Sequence, residues 1–393
     1  MSNKWPRVPL GEVLQPVSRP EPVESDKLYR LLGAHWYAKG LYVKEEKLGS
    51  EIRARSVYRV EKGDFVYNRL FAWMGSFAFA DTSVHNCYVS NEFPCFHVHP
   101  ERLDGRFLWR YFSRTDSWKE ALGLSTGGTP TSRNRLKEAR LLGMAISLPS
   151  LVEQQRIVAR VEAIASRIAE AQRLREELTE DGDRLLVQMA HRSDLNDAYK
   201  LANGWRQIVL SEVLTQTSDP VTVDTATEYP NFGIYSFARG LFHKTPINGL
   251  ETSATTLYRA HAGYFIYSRL FAFEGSYGWV TPEFNGKFVS AEYPMFDCEK
   301  ASVRPEFLAA YFKAKHIWSA VAVGSKGLGD RRQRVQPKHF LTHKMWLPPI
   351  YWQHRIADAW SQLNTLRALQ DETATELDAL LPSVLNQAFA GKL

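Results

Sequence analysis

The stretch that decides the fold is residues 148–188, LPSLVEQQRIVARVEAIASRIAEAQRLREELTEDGDRLLVQ. Its apolar residues follow alternating spacings of four and three before the pattern loosens, at Ile157, Val161, Ile164, Ile168, Ala171, Leu174 or Arg175, and Leu178. This spacing places them on one stripe of a helix, and Pro149 with Ser150 suits a helix start. An ordinary core helix is the plainer alternative. The length and the narrow stripe favour a spacer helix that pairs with another helix.

Composition narrows the class of protein. The chain has 393 residues, 44% of them hydrophobic and 23% charged, which predicts two or three globular domains. No apolar segment of secretory or membrane-spanning length is present, and Cys87, Cys95 and Cys298 form no metal-ligand spacing. A reduced, cytoplasmic location is therefore expected. The net charge of +6 is compatible with an anionic partner.

The chain repeats itself at an offset of two hundred residues. Residues 58–78 read YRVEKGDFVYNRLFAWMGSFA, and residues 258–278 read YRAHAGYFIYSRLFAFEGSYG. Four further pairs keep this register, namely the blocks that begin at 5 and 205, 29 and 229, 89 and 289, and 107 and 307. Agreement over five separated blocks indicates a duplicated domain.

The repeat continues into the helices with a slip of one residue. Leu148-Pro149 returns as Leu347-Pro348, so one residue is deleted between Phe312 and Leu347. A second long helix is expected over about 352–381, followed by an amphipathic turn or two that ends near Gly391. The predicted domains are 1–147, the helix 148–193, a second domain 194–346 with a linker at 194–203, and the helix 347–393.

The predicted fold class is α+β, with two pseudo-symmetric mixed α/β domains separated by two long antiparallel helices. Gly-led runs rich in aromatic and β-branched residues, such as GDFVYNRLF in residues 63–71, predict strands. Short helices are expected over 107–122 and 307–321. Neither long helix can bury its stripe alone, and a helix of this length is roughly 50–60 Å long.

The sequence contains no convincing catalytic motif. The Pro-Pro at 348–349 lacks the amide or carboxylate that amino-methyltransferases place before it, and the glycines at 324–329 fit no phosphate-binding loop. Glu45-Glu46-Lys47 offers a nuclease-like Glu-x-Lys without a paired upstream acid, and the eleven histidines are scattered. No catalytic residue, metal site or cofactor of this chain is predicted.

Basic loops with interleaved aromatics remain as candidates for DNA contact. Arg69 and Arg269 lie at equivalent places between aromatic residues, where each could reach DNA or pair with a carboxylate such as Glu92 or Glu292; the structural role is favoured. Two glycine- and serine-rich loops, 125–135 and 324–334, carry cations suited to phosphate. A solvated loop is the alternative. The candidates in and beside these loops are Thr126, Thr129, Ser132, Arg133, Arg135, Lys326, Arg331, Arg332, Gln333, Arg334 and Lys338.

Base discrimination is expected where the two halves differ. Segments 45–57, with Arg53 and Arg55, and 245–257 differ strongly. Trp73 also differs from its counterpart Phe273, as do the loops 80–88 and 280–288. Surface drift between duplicated domains is the alternative explanation.

With its two repeated domains and two helices, the chain resembles the specificity subunits of type I restriction-modification systems. Leu148-Pro149 followed by residues 153–158, EQQRIV, is typical of that family, as is the ending LLPSVLNQAFAGKL at 380–393. The second helix departs from the pattern, because Trp352-Gln353-His354 replaces Glu-Gln-Gln. The resemblance covers nearly the whole chain.

The resemblance implies a non-catalytic subunit in which each target-recognition domain reads half of a bipartite double-stranded DNA target. The helices would set the unread gap and dock two modification subunits, which bind S-adenosylmethionine and methylate adenine. A restriction, translocating subunit can join them. The partner-binding candidates are Glu153, Gln154, Arg156, Gln353 and Arg355. The alternatives are a DNA-binding phage-defence adaptor and a free-standing DNA methyltransferase or nuclease.

Overall fold

A computed structural model describes residues 5–127, 134–323 and 334–393. The chain divides into two compact units, Met1–Arg173 with Thr373–Leu393, and Leu174–Glu372. Each unit contains one sheet-rich domain and parts of two long helices. The mixed α/β class is therefore confirmed.

The first domain alternates short strands with short helices. Its strands are β1 (Arg7–Pro9), β2 (Leu14–Val17), β3 (Pro20–Pro22), β4 (Leu28–Ala34), β5 (Leu41–Leu48), β6 (Ser56–Val60), β7 (Asp64–Tyr67), β8 (Phe77–Phe79), β9 (Cys87–Val89), β10 (Cys95–Val98) and β11 (Ala145–Ser147). Its helices are α1 (Gly105–Tyr111), α2 (Thr115–Leu124) and α3 (Glu138–Leu142). Single 3-10 turns occupy Leu10–Glu12, Gly49–Glu51, Ala72–Met74 and Thr82–Val84.

Two sheets and a helical layer stack within this domain. One sheet has the order β2-β10-β7-β8 and the other β3-β6-β9-β4-β5, while β1 pairs with β11. Leu32, Val66 and Val89 are among the buried residues that join the sheets face to face. The opposite face of the four-stranded sheet packs through Phe65 on Phe107 of α1. Strand β7 is buried at every position because it lies inside both interfaces.

The second domain has the same plan. Its strands are β12 (Arg206–Val209), β13 (Leu214–Thr217), β14 (Pro220–Thr222), β15 (Glu228–Ile234), β16 (Leu241–Asn248), β17 (Thr256–Arg259), β18 (Phe265–Tyr267), β19 (Tyr277–Trp279), β20 (Phe288–Val289), β21 (Met295–Cys298) and β22 (Lys344–Leu347). Strand order is β13-β21-β18-β19 and β14-β17-β20-β15-β16, with β12 on β22. Each of these strands has its counterpart in the first domain, so the predicted duplication is confirmed.

The helices of the second domain are α5 (Asp197–Ala202), α6 (Pro305–Tyr311), α7 (Lys315–Ala322) and α8 (Pro337–Phe340), and its 3-10 turns are Leu210–Glu212, Ala272–Glu274 and Pro282–Phe284. The helices predicted over 107–122 and 307–321 are each two helices, α1 with α2 and α6 with α7. Helix α5 lies within residues 194–203, where the sequence predicts a linker between the two halves. It is anchored by Lys200, whose Nζ donates to the carbonyl of His191 at 2.9 Å.

A glycine beside a tryptophan fixes the same turn in both domains. Gly75 and Gly275 have φ of +75° and +81°, a region that residues with a side chain rarely adopt. A Cβ on Gly75 would lie 2.5 Å from the ring of Trp118, and one on Gly275 would lie 2.4 Å from the ring of Trp318. The Trp118 indole donates to the carbonyl of Phe112 at 2.5 Å, and the Trp318 indole donates to the carbonyl of Phe312 at 2.6 Å. Both turns therefore require glycine for two independent reasons.

The two long helices are α4 (Leu151–His191) and α9 (Ile350–Phe389). Both predicted helices exist, and both end within the predicted segments 148–193 and 347–393. Helix α9 continues through Pro382, although proline removes one backbone hydrogen bond. The continuation is held because Leu385, Ala388 and Phe389 are buried in the core of the first unit. Burial there outweighs the local cost of the proline.

The helices run antiparallel where they meet inside each unit. In the first unit Ile157 shares a core with Phe389, and Gln172 donates to Asp378 at 3.2 Å. As residue numbers rise along α4, those of the partner residues on α9 therefore fall.

The second unit shows the same antiparallel order. Gly182 abuts Leu363, and the indole of Trp352 donates to the carbonyl of Met189 at 2.9 Å. At the loosened part of the stripe Arg175, not Leu174, is the half-buried residue. Pairing of the helices, predicted from the sequence, is thus observed in each unit, although Leu178 of the predicted stripe is 41% exposed in the second.

Candidate nucleic-acid interface

Backbone hydrogen bonds hold the two ends of the first basic loop together. Thr126 and Arg135 exchange two backbone hydrogen bonds of 2.9 Å, which form an antiparallel bridge. The next residue, Leu136, is buried and donates its N–H to the carbonyl of Arg69 at 3.0 Å. Its own carbonyl accepts from the hydroxyl of Tyr67 at 2.9 Å. Strand β7 and the residues that follow it therefore anchor the returning end of the loop.

The second basic loop is anchored in the same way. Val335 donates to the carbonyl of Arg269 at 3.0 Å and accepts from the Tyr267 hydroxyl at 3.0 Å. Leu136 and Val335 are 199 residues apart, whereas Trp118 and Trp318 are 200 apart. The one-residue deletion therefore falls between these two landmarks, in the stretch that contains the basic loop. The loops vary in length while their anchors are retained.

Arg69 has protein partners. Its guanidinium donates to Glu138 of α3 and to the carbonyl of Asn91, and its side chain is 24% exposed. The hydrogen bond to Glu138 raises the pKa of Arg69, and the same pair lowers the pKa of the Glu138 carboxyl. Arg269 donates to Gln336 at 2.8 Å at the equivalent place. These contacts support the structural role that the sequence favoured, although the carboxylate is Glu138 rather than Glu92.

Glu92 and Glu292 instead hold the arginine at the root of each basic loop. Arg135 pairs with Glu92, and Arg334 pairs with Glu292 at 3.0 Å. Both arginines remain about half exposed, at 52% and 49%. Each can therefore exchange its carboxylate for a phosphate without any rearrangement of buried groups. The geometry suits an anion that approaches the root of the loop.

Most of the predicted loop contacts fall outside the described residues. This applies to Thr129, Ser132, Arg133, Lys326, Arg331, Arg332 and Gln333. Thr126 and Lys338 lie within the described part of the chain and are exposed.

The candidate residues outside the loops are of two kinds. Arg53 and Arg55 are exposed, and neither side chain has a hydrogen bond or ion pair with any residue that the structure describes. Trp73 and Phe273 are half-buried, and the indole of Trp73 donates to the carbonyl of Leu70 at 3.0 Å. Arg53 and Arg55 are thus available to a ligand, whereas Trp73 stabilises its own turn.

Exposed aromatic residues form a feature that the sequence reasoning did not single out. Trp36, Tyr37 and Phe71 are 47%, 51% and 37% exposed, and Phe237 and Phe271 are 62% and 46% exposed. Tyr37 and Phe237 have φ of 60° and 63°, each in a tight turn between two strands. The signal was present in the repeat, because aromatic residues recur at 37 and 237 and at 71 and 271.

Glu153 and Arg156 lie at the exposed start of α4. Arg156 donates to Glu153 at 2.8 Å and to the carbonyl of Leu393 at 2.7 Å, and this pairing lowers the pKa of the Glu153 carboxyl. On α9 the Arg355 guanidinium lies 4.7 Å from the Trp352 ring centroid. These three predicted partner residues are accessible.

Gln154 and Gln353 require a correction, because both side chains are fully buried. Gln154 accepts from the N–H of Asp104 at 2.8 Å and donates to the carbonyls of Arg102 and Pro149 at 2.9 Å. Gln353 makes the equivalent bonds to Arg304, Ser302 and Pro348, at 2.8, 2.9 and 2.9 Å. Both residues lock a domain onto its helix, so the predicted partner contact does not hold for them.

Uncovered leucines follow the helices in the second unit. On α4 Leu174, Leu178 and Leu185 are 51%, 41% and 46% exposed, at spacings of four and seven residues. On α9 Leu366 and Leu369 are 43% and 54% exposed. Residues with such spacing share one helix face, and large apolar side chains left on it indicate an unfilled contact surface.

Comparison with known proteins identifies a related family for the first part of the chain. Residues 3–180, just under half of the chain, match the family described as type I restriction modification DNA specificity domain. This similarity supports DNA sequence recognition as the function of the chain.

Solved structures share the fold of this chain. The HsdS subunit of Thermoanaerobacter tengcongensis is 20% identical, with a TM-score of 0.55, over 100% of this chain and 98% of its own. A chain from a structure on complex assembly and conformational transition of the type I R-M system is 20% identical, with a TM-score of 0.65, over 99% and 98%. The type I S subunit of M. genitalium is 13% identical, with a TM-score of 0.50, over 99% and 97%. The curated proteins gave no match.

Residues 5–127, 134–323 and 334–393 contain neither a metal-ligand cluster nor a membrane-spanning helix. Within those ranges, no group of three or more His, Cys, Asp or Glu side chains is arranged to hold a metal ion. No described helix is long and apolar enough to cross a bilayer.

Proposed function

We propose that each sheet-rich domain reads one half of a two-part DNA target, while α4 and α9 set the unread gap and dock methyltransferase subunits. The chain contributes recognition and no chemistry. S-adenosylmethionine binding and base methylation belong to the partner subunits, and a restriction subunit can join the assembly.

The observation that carries this proposal is one scaffold built twice with different loops. The sheets have the same strand order, and the loop roots are held by the same Tyr, Arg and Glu contacts at both places. The segments 45–57 and 245–257 differ in sequence on this common frame. A retained frame with changed loops suits two domains that read different bases.

DNA binding should depend on the basic loops through charge. Replacing Arg331, Arg332 and Arg334 together by Ala should weaken binding to all sequences and reduce the slope of log K against log salt by up to about three. Fluorescence anisotropy over a salt series would measure the slope.

The matched control for the loop variant removes three other cations from the same unit. Arg206, Lys300 and Lys344 are exposed and lie outside the loop. Their replacement by Ala changes the net charge equally and should leave the slope close to its native value. Equal slopes for native protein and loop variant would remove the loop from the interface.

The uncovered leucines support docking of partner subunits on the helices. A stripe that carries Leu174, Leu178 and Leu185 on an exposed face is stabilised when another apolar surface covers it. The polar neighbours on these helices limit where a partner can lie, which suits a specific contact.

The spacer role predicts the effect of lengthening both helices. Seven residues inserted after Arg173 and seven before Thr373 keep the apolar register and add about 10 Å to each helix. The unread gap should grow by about three base pairs, at 3.4 Å per pair, with both half-sites unchanged. Target selection from random duplexes would measure the gap. Altered half-sites at an unchanged gap would contradict the spacer role.

The deciding experiment is methylome sequencing of the native host with and without this gene, together with co-purification. Loss of methylation at one bipartite motif, and a methyltransferase that co-purifies, would support the proposal. S-adenosylmethionine binding or DNA cleavage by the purified chain alone would favour an enzyme. Absence of a methyltransferase from the native complex would favour a defence adaptor.

A further inference from the structure

A cleft of about 760 Å³ lies within the first sheet-rich domain. Its floor is apolar, formed by Leu31, Val57 and Tyr88 of the five-stranded sheet with Ile52 beside them. This volume lies within the range of pockets that hold small ligands, about 300–1,000 Å³. It admits a nucleotide, whereas a base-paired duplex is too wide to enter it.

Aromatic rings form one wall of the cleft. Trp36, Tyr42 and Phe71 are 47%, 38% and 37% exposed, and the Trp36 and Phe71 rings lie 5.8 Å apart at a tilt of 45°. Gly33 leaves the space in which Tyr42 lies across the sheet, since a Cβ there would come within 2.7 Å of the ring. Exposed rings at the mouth of a cleft provide a stacking platform for a planar ligand.

Polar groups complete the lining. Asn68 is 8% exposed, and its Oδ1 accepts from the N–H of Leu70 at 2.9 Å, while its Nδ2 has no partner among the described residues. Asn91 is exposed at the same end. Lys44 and Arg55 are exposed cations on the lining. Amides suited to a base edge and cations suited to phosphate thus surround an aromatic wall.

The repeat separates the scaffold of this cleft from its variable lining. Gly33, Tyr42, Tyr58 and Phe71 correspond to Gly233, Phe242, Tyr258 and Phe271, so the glycine and two of the three wall rings are retained. The third ring and the polar groups named above change, apart from Lys44: Trp36, Arg55, Asn68 and Asn91 become Ser236, Thr255, Ser268 and Ala291. A retained frame whose polar lining changes is the pattern expected of a specificity-determining site.

We propose that this cleft binds one nucleotide of the first half-site, displaced from the duplex stack. Its base stacks on Trp36 and Phe71, the amides of Asn68 and Asn91 meet the base edge, and Arg55 and Lys44 contact the phosphate. This inference rests on the proposed function, because it names where that function discriminates a base. A base must leave the stack to enter a pocket of this size.

The test uses the full chain in its methyltransferase complex and duplexes carrying 2-aminopurine at successive positions of the selected target. Enhanced fluorescence is expected at one position of the first half-site in addition to the base that the methyltransferase itself extrudes. Trp36→Ser, which installs the residue of the second domain, and Asn91→Ala should each abolish the enhancement and weaken specific binding by about 10–100-fold. Thr255→Ala, in the second domain, should leave the enhancement intact. Unchanged melting temperatures would show that both cleft variants fold.

Free nucleotides provide the second arm of the test. Titration with the four deoxynucleoside monophosphates should give weak, Trp36-dependent binding at most. Tight binding of a free nucleotide without any 2-aminopurine enhancement would assign the cleft to a soluble ligand and overturn the proposal. If neither variant changes specific DNA binding, the cleft does not bind a displaced nucleotide, and the proposed function still stands. If the native complex shows no specific DNA binding, both the cleft proposal and the proposed function fail.

Discussion

Replacing Gln154 or Gln353 by Leu should lower the free energy of unfolding of its own unit by about 3–4 kcal/mol. Each amide is fully buried and makes three hydrogen bonds of 2.8–2.9 Å to backbone groups. Leucine fills a similar volume but leaves those backbone groups without partners. The folded state then bears the whole desolvation cost of each unpaired group. For units of this size the melting temperature should fall by about 2–4 °C per kcal/mol.

Hydrogen exchange measured by mass spectrometry would assign the effect to a unit. Gln154→Leu should accelerate exchange in β7 and β10, and Gln353→Leu in β18 and β21. Glu153→Gln is the matched control, since its half-buried side chain lies one residue away and pairs with Arg156 rather than with the backbone of the domain. If neither Leu substitution alters hydrogen exchange in either unit, the amides do not lock the domains to the helices.

The repeat and the long helices could be predicted because each produces a periodic pattern in the sequence. Apolar residues at spacings of four and three define a helix stripe, and matching blocks at one offset define a duplicated domain. That α9 runs unbroken through Pro382 into the predicted turn before Gly391 could not be predicted in this way. Pro382 is an ordinary stop signal, and only the burial of Leu385 and Phe389 in the core of the first unit overrides it.

The roles of the glutamines and arginines could be predicted only in part. Gln154 belongs to a family-like string and is therefore predicted to bind a partner, since polar residues at the start of a helix are ordinarily solvated. Its burial depends on the backbone of Arg102 and Asp104, about fifty residues away in sequence, which no local pattern encodes. For Arg69 the sequence correctly predicted that the partner is a carboxylate. The identity of that partner, Glu138, depends on where α3 returns.

Buried histidines should make the second unit more sensitive to mild acid than the first. His191 stacks on Tyr311 with ring centroids 4.5 Å apart, and His343 lies 3.0 Å from the Tyr311 hydroxyl. His316 and His339 face the same group of residues. The first unit has Asp116, Arg140 and Met144 at the places equivalent to His316, His339 and His343. The two units thus form a natural matched pair.

Stability of the second unit should fall as the pH drops from about 6.5 towards 4. Burial is the main cause that lowers the pKa of His343 to about 4, and it also lowers the pKa of His191. The unfolded chain therefore binds more protons than the folded chain across this window, so acid favours unfolding. For His343 alone the loss should reach about 2–3 kcal/mol. Glu138 and Glu21, whose carboxyl pKa values are lowered, weaken the first unit only at still lower pH.

Urea unfolding followed by hydrogen exchange at pH 7.5 and pH 5 would separate the two units. The β18 and β21 segments should lose protection at pH 5 well before β7 and β10. His343→Met installs the residue that the first unit carries at this place and removes one titrating imidazole, so it should reduce the acid response of the second unit to the part that His191 contributes. An equal loss of protection in both units of the native chain would show that the buried histidines do not control acid stability. Because each unit holds one domain against its helices, the acid response should appear as selective loss of the second half-site from an otherwise intact DNA contact.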